Sequence, residues 1–202
     1  MTAKLTEATF ASVRRDLTGT ATDLFLKEGM KGLTLRGLAD AAGISRSTPY
    51  TYFRDKSAVI DSIRAAGYDR LTKRYCEVIA DENDLLSRLR HCACTYVEFA
   101  IAEPSIYRLM TDQIIDNAVC TPVLGAARDE FLATAGPVLQ DCIDAGLIIA
   151  DRQELQMIST AAIHGLIHLF FSGHIASAAE LRRHVVVLLD MMERSVVIKH
   201  RM

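Results

Sequence analysis

The chain has 202 residues, half of them apolar and 24% charged, which excludes an intrinsically disordered protein and allows a sizeable packed core. Its net charge of −2 says little about partners, but the charge is unevenly spread. Residues 1–56 carry +3 and residues 57–202 carry −5, a basic head on an acidic body. Only four prolines and eleven glycines occur, and helical periodicity recurs along the chain, so the expected fold is all-α with about nine helices.

The first amphipathic pattern runs from about Glu7 to Glu28, with Val13, Leu17, Ala21, Leu24 and Phe25 on one stripe. Gly29 is placed to end it. Arg14 and Arg15 near its start are candidate phosphate contacts or simply a solvated face. Thr34 is a good N-cap for a second helix, Leu35 to Ala42, whose interior Gly37 costs about 1 kcal/mol relative to alanine. Gly43 can take the left-handed backbone of a sharp turn. A third helix is expected from about Arg46 to Phe53, with Pro49 in its first turn, where few N–H groups have intrahelical partners. Asp55 caps a fourth helix, about Lys56 to Ala80. There Lys56 opposes the macrodipole, which makes sense beside a phosphate.

After the polar break Asp81-Glu82-Asn83-Asp84, a fifth helix carries Leu85, Leu86, Leu89, Ala93, Tyr96, Val97 and Ala100 and stops before Pro104. A short piece, Ser105 to Thr111, comes next. Thr121-Pro122 is a cap with proline at the first helical position; that helix reaches about Ala145, with a kink expected at Gly136-Pro137. Asp151-x-x-Glu154 and Ser177-x-x-Glu180 are capping-box patterns that open the last helices, about Arg152 to Ser172 and Ala178 to Val197.

The five cysteines include no CxxC pair, so reduced, mostly buried thiols are expected. Met1 to Phe10 has no apolar core of signal-peptide length, and the run Ala161 to Phe171 is too short to span a bilayer. The expectation is a soluble cytoplasmic protein with no membrane partner.

Leu33 to Lys56 organises the chain. A packed short helix, a tight turn and a second helix rich in Arg, Ser, Thr and Tyr form what a helix-turn-helix reader of DNA requires. The ordered set Leu-Thr, Leu-Ala-x-x-Ala-Gly-Ile-Ser and Tyr-x-Tyr-Phe-x-x-Lys resembles the TetR family of bacterial transcription regulators. Pro104-Ser-Ile-Tyr-Arg-Leu-Met and the stretch from Ile163 to Gly173 resemble a subgroup named for a Trp-His-Gly motif, with Ile163 in place of the Trp. The resemblance implies an N-terminal three-helix DNA-binding domain, residues 1–56, and a C-terminal ligand-binding and dimerisation domain, residues 57–202. It also implies a homodimer that represses from a palindromic double-stranded operator until a small molecule releases it. Carried over by position, Arg46, Ser47, Thr48 and Thr51 would face bases. Tyr50, Tyr52 and Lys56 would hold phosphates, with Thr34 and Arg36 in support and Phe53 in the core. Arginine can fork onto guanine O6 and N7, whereas hydroxyls on phosphates set register without reading sequence. Tyr50 and Tyr52 lie two positions apart, so at most one of them should be mainly core.

The rival class is a metal-responsive regulator or a metal-dependent helical enzyme using His164 and His168, which share a helix face at metal-ligand spacing. No glutamate stands between them as a zincin needs, and histidines on an apolar helix are more often core or interface residues. No metal, cofactor or catalytic residue is therefore expected. The effector is expected to be largely apolar, held by residues drawn from Tyr96, Phe99, Tyr107, Met110, Phe131, Cys142 and Met157, with His164 or a tyrosine hydroxyl as a polar handle. Ala161, Ala162, Gly165, Leu166 and Leu169 of one helix, with Val185, Leu188, Leu189 and Met192 of the next, are the expected dimer surface.

Overall fold

The computed structural model describes residues 6–111 and 120–197, with side chains to residue 194. Among these residues it is all-α, with helices α1 (Glu7–Gly32), α2 (Leu35–Ala42), α3 (Pro49–Tyr52), α4 (Lys56–Asp81), α5 (Leu85–Ala102), α6 (Pro104–Thr111), α7 (Pro122–Asp144), α8 (Arg152–Phe171) and α9 (Ala178–Val197). No described helix is long and apolar enough to cross a membrane.

The caps explain most of the boundaries. Thr34 accepts from the Gly37 N–H at 2.9 Å and Asp55 from Ala58 at 2.8 Å. Asp151 accepts from Glu154 at 2.9 Å. Each bond satisfies a donor that a helix start leaves without a partner. Ser177 Oγ accepts from the Glu180 N–H, and Glu180 Oε2 reaches back to the Ala176 N–H, one residue before the cap and not the Ser177 N–H of a strict capping box. The Asp55 carboxyl sits below its ordinary range, first because of the Ala58 N–H and then because of Arg54.

Two helix ends differ from expectation. The regular part of α1 does stop at Gly29, where φ is +68°, but a further turn carries helical bonding to Gly32. α3 is shorter than the expected Arg46–Phe53. Pro49 has no N–H to offer the Ser45 carbonyl, so the entry is a tighter turn with Thr48 N bonding Ser45 O at 3.0 Å. The first α-type bond is Phe53 N to Pro49 O at 2.8 Å.

The chain divides into two compact units, residues 1–69 with 108–128 and residues 70–107 with 129–202. In the first, α1, α2 and α3 pack on one another. Leu17, Ala21, Leu24 and Phe25 of α1 are buried, as are Leu35, Leu38 and Ala39 of α2; Phe53 is only 1% exposed. Gly37 has a packing reason: an added Cβ would stand 3.2 Å from the Gly32 carbonyl oxygen and 3.1 Å from Thr34 Oγ1. A close helix approach there outweighs the glycine's poor propensity. Arg14 donates to Ser62 Oγ at 3.2 Å, and its guanidinium lies 5.5 Å from the Phe53 ring centroid. That residue is held by its own unit, whereas Arg15 is exposed.

In the second unit α9 packs on α8 and α5. Leu181, Val185 and Leu189, one per turn, are buried, and Ile163 and Ile167 are the buried residues of α8. Val185 and Leu189, expected on a dimer surface, are therefore core of their own chain. Among the described side chains, the large apolar residues that α8 and α9 expose are Met157, Ile158, Leu169, Val186, Val187 and Met191.

Candidate nucleic-acid interface and cavity

α2, its turn and α3 form one continuous motif in the first unit. At Gly43, φ is +65°, and Ile44 N returns to the Ala39 carbonyl at 3.0 Å. That closure ends α2 and sends the chain into α3. The Ser45 hydroxyl bonds the hydroxyls of Ser47 at 3.0 Å and Thr48 at 2.7 Å, fixing the entry to α3 from the side chains.

The nine residues carried over by position all lie in this unit. Thr34, Arg36, Arg46, Ser47, Tyr50 and Thr51 are exposed; Thr48, Tyr52 and Lys56 are half-buried. Arg46 has only a 4.0 Å approach to Asp40, too long and too solvated to hold it. Tyr50 is 60% exposed, while the Tyr52 ring lies 4.8 Å from that of Phe10. The two tyrosines thus diverge as their spacing requires, with Tyr52 the partly packed one. The Lys56 ammonium donates to the Met30 carbonyl at 2.6 Å, pinning the start of α4 to the turn beyond Gly29. In sequence, a phosphate is the one reason for a lysine at this place; the reversal at Gly29 supplies an internal one.

The second unit contains a cavity of about 340 Å³, within the range of small-molecule sites. Leu86, Leu89, Leu139, Ile148, Leu155 and Ile163 make its apolar walls, and Ala93, Ala135, Ser159 and Thr160 leave the space. Tyr96, Phe131 and His164 of the expected set line it. Tyr107 stands behind His164 instead of on the wall. Phe99 and Cys142 are fully buried in packing away from the void, Met110 is buried in the other unit, and Met157 is 70% exposed. Sequence reading misses Arg90, Gln156, Ser159, Thr160 and Glu193 on the wall. The signal available was a set of small residues on facing helices, a spacing that leaves a void where larger side chains would fill it.

His164 is held at both ring nitrogens, Nε2 by the Tyr96 hydroxyl at 3.0 Å and Nδ1 by the Tyr107 hydroxyl at 2.9 Å. A neutral imidazole offers one donor and one acceptor, so it donates to one tyrosine and accepts from the other. Burial lowers the His164 pKa and pushes the Tyr107 hydroxyl up to about 12, keeping the trio uncharged near neutral pH. Both ring nitrogens of His164 are thus engaged by tyrosines, and His168 is exposed. Among the described residues no group of three or more His, Cys, Asp or Glu side chains is placed to hold a metal.

Residues 17–63 match the family model described as bacterial regulatory proteins, tetR family. Residues 89–192, half of the chain, match the tetracyclin repressor-like C-terminal domain. The chain belongs to the TetR family. It is 31% identical over 101 residues to the HTH-type transcriptional repressor KstR2 of Rhodococcus jostii (strain RHA1), a stretch covering 50% of each protein. It thus spans about half the length of that curated relative. Over 94% of the chain and 93% of the other, it is 26% identical to the HTH-type transcriptional regulator AcrR of Shigella flexneri. A solved structure of a protein of unknown function from Rhodococcus sp. RHA1 superimposes with a TM-score of 0.80 at 26% identity, covering 92% of this chain and 95% of that one. TetR membership accounts for the all-α fold and for the N-terminal position of the helix-turn-helix.

Proposed function

We propose that this TetR-family chain is a cytoplasmic transcriptional repressor, not an enzyme, that binds a palindromic operator as a homodimer. A small molecule in the cavity of the second unit releases it. The observation that carries the reading is the exposed hydroxyl and guanidinium face of α2 and α3, mounted on a packed and capped three-helix unit. Residues 1–56 are the reader, and residues 57–202 supply dimerisation and ligand binding. The exposed apolar residues of α8 and α9 are the surface for the second copy. Arg46, Ser47, Thr48 and Thr51 are assigned to bases. Tyr50, Tyr52 and Lys56 are assigned to phosphates, Lys56 reaching one with the donors its bond to Met30 leaves over, and Thr34 and Arg36 flank them.

Arg46→Ala should cost about 1–3 kcal/mol in discrimination at a single base position. Lys56→Ala should weaken all sequences alike and lower the salt slope by about one. Titration of both variants against an operator and its point variants, at several salt concentrations, checks the assignment. Loss of affinity in both variants with unchanged preference would show that Arg46 does not read a base.

A further inference from the structure

The charge pattern on the cavity wall narrows what it can hold. Two charged side chains line it, Arg90 and Glu193, and they are paired to each other at 3.3 Å. Arg90 also bonds Asp190 through its other terminal nitrogen. Its guanidinium therefore has two carboxylates to satisfy before it could serve an anion. The carboxylate on the wall is in turn committed to Arg90. Arg152, whose Nη2 lies beside Gly136, is solvent-exposed and is not part of the wall.

The remaining polar wall groups are neutral: the amide of Gln156, the hydroxyls of Ser159 and Thr160, and the Tyr96–His164 pair. The Cys92 thiol on the wall is pushed up by burial to about 11 and stays protonated. The cluster of Arg90, Asp190 and Glu193 holds two carboxylates to one guanidinium, so an anionic ligand would give up its hydration to enter an apolar chamber without meeting an uncompensated cation. An uncharged ligand meets the Gln156 amide and the Thr160 hydroxyl, the Ser159 hydroxyl already donating to the Leu155 carbonyl.

We propose that this cavity takes an uncharged, largely apolar small molecule bearing a hydrogen-bonding group, in preference to a carboxylate or a phosphate ester. The inference rests on the reading of the cavity as the effector site and deepens it. The test uses the full chain and the neutral fluorophore N-phenyl-1-naphthylamine, displaced in turn by 1-decanol and decanoate, which share one chain length. The alcohol should displace the fluorophore at least about tenfold more effectively than decanoate. Ala135→Phe, which fills the chamber, should abolish fluorophore binding with helical content intact. Asp190→Asn with Glu193→Gln, which strips Arg90 of both partners, should raise decanoate binding by about tenfold or more. If the fluorophore binds but decanoate competes as well as the alcohol, the charge inference is overturned and the effector-site reading stands. Unchanged decanoate binding in the double variant also overturns the charge inference. If the fluorophore fails to bind, or binds Ala135→Phe undiminished, the effector-site reading itself falls.

Discussion

Phe53→Ala should destabilise the N-terminal unit by about 3–5 kcal/mol, the usual cost of deleting a buried aromatic ring and leaving a partly collapsed cavity. Phe53 is 1% exposed, and its N–H closes α3 with the α-type bond to the Pro49 carbonyl. The ring also supports the Arg14 guanidinium, so truncation loosens α1 and α3 together. A helix of this length has no stability of its own; it depends on that packing. Urea unfolding of wild type and variant measures the loss, and DNA affinity should fall with it. Tyr50→Ala, on the same helix but 60% exposed, should change stability by no more than about 0.5 kcal/mol. If both variants unfold alike, the division of α3 into a packed and a presented face is wrong.

Asp61→Ala should have a comparable effect for a different reason. Asp61 as a residue is 6% exposed, and its carboxylate accepts from Arg64 Nη1 at 3.4 Å and from the Thr121 N–H at 3.1 Å, joining α4 to the start of α7 within one unit. The Arg64 Nε is already buried without a hydrogen-bond partner. Removing Asp61 would leave a largely buried cation with no counter-charge among its described contacts, a loss of about 3–5 kcal/mol. Replacing both residues by apolar ones of similar size should recover much of it, since the penalty belongs to the unpaired charge. A double-mutant cycle in urea separates the two terms.

Local chemistry made the helix boundaries legible. Thr34, Asp55, Asp151 and Ser177 stand where a side-chain oxygen meets an N–H lacking a helical partner, and each makes that bond. Pro49 shows the limit of that reading. Its missing N–H is harmless in a first turn, but it also delays the α-type bonding, so the third helix begins later than its composition suggests. The partner of Lys56 was hidden because it depends on where the chain goes after Gly29, a tertiary fact. The cavity was only partly legible for a related reason. Periodicity identifies an apolar face without saying whether that face meets a neighbour or a void. Phe99 and Cys142 meet neighbours, whereas Tyr96, Phe131 and His164 border the void. The same ambiguity placed Val185 and Leu189 on an outer surface. Helix α9 is apolar on two sides, and only packing shows that the stripe Leu181, Val185 and Leu189 faces inward while Val186, Val187 and Met191 face out.

The function proposed for this TetR-family chain turns on the reading of one specific double-stranded site through α2 and α3. Selection of bound fragments from the source genome by the purified full chain, with footprinting at rising salt, tests it most directly. The expected result is a compact inverted repeat protected over two half-sites about one helical turn apart or a multiple of it, with affinity falling steeply as salt rises. Sequence-indifferent coating of DNA, with no enriched repeat, would contradict it.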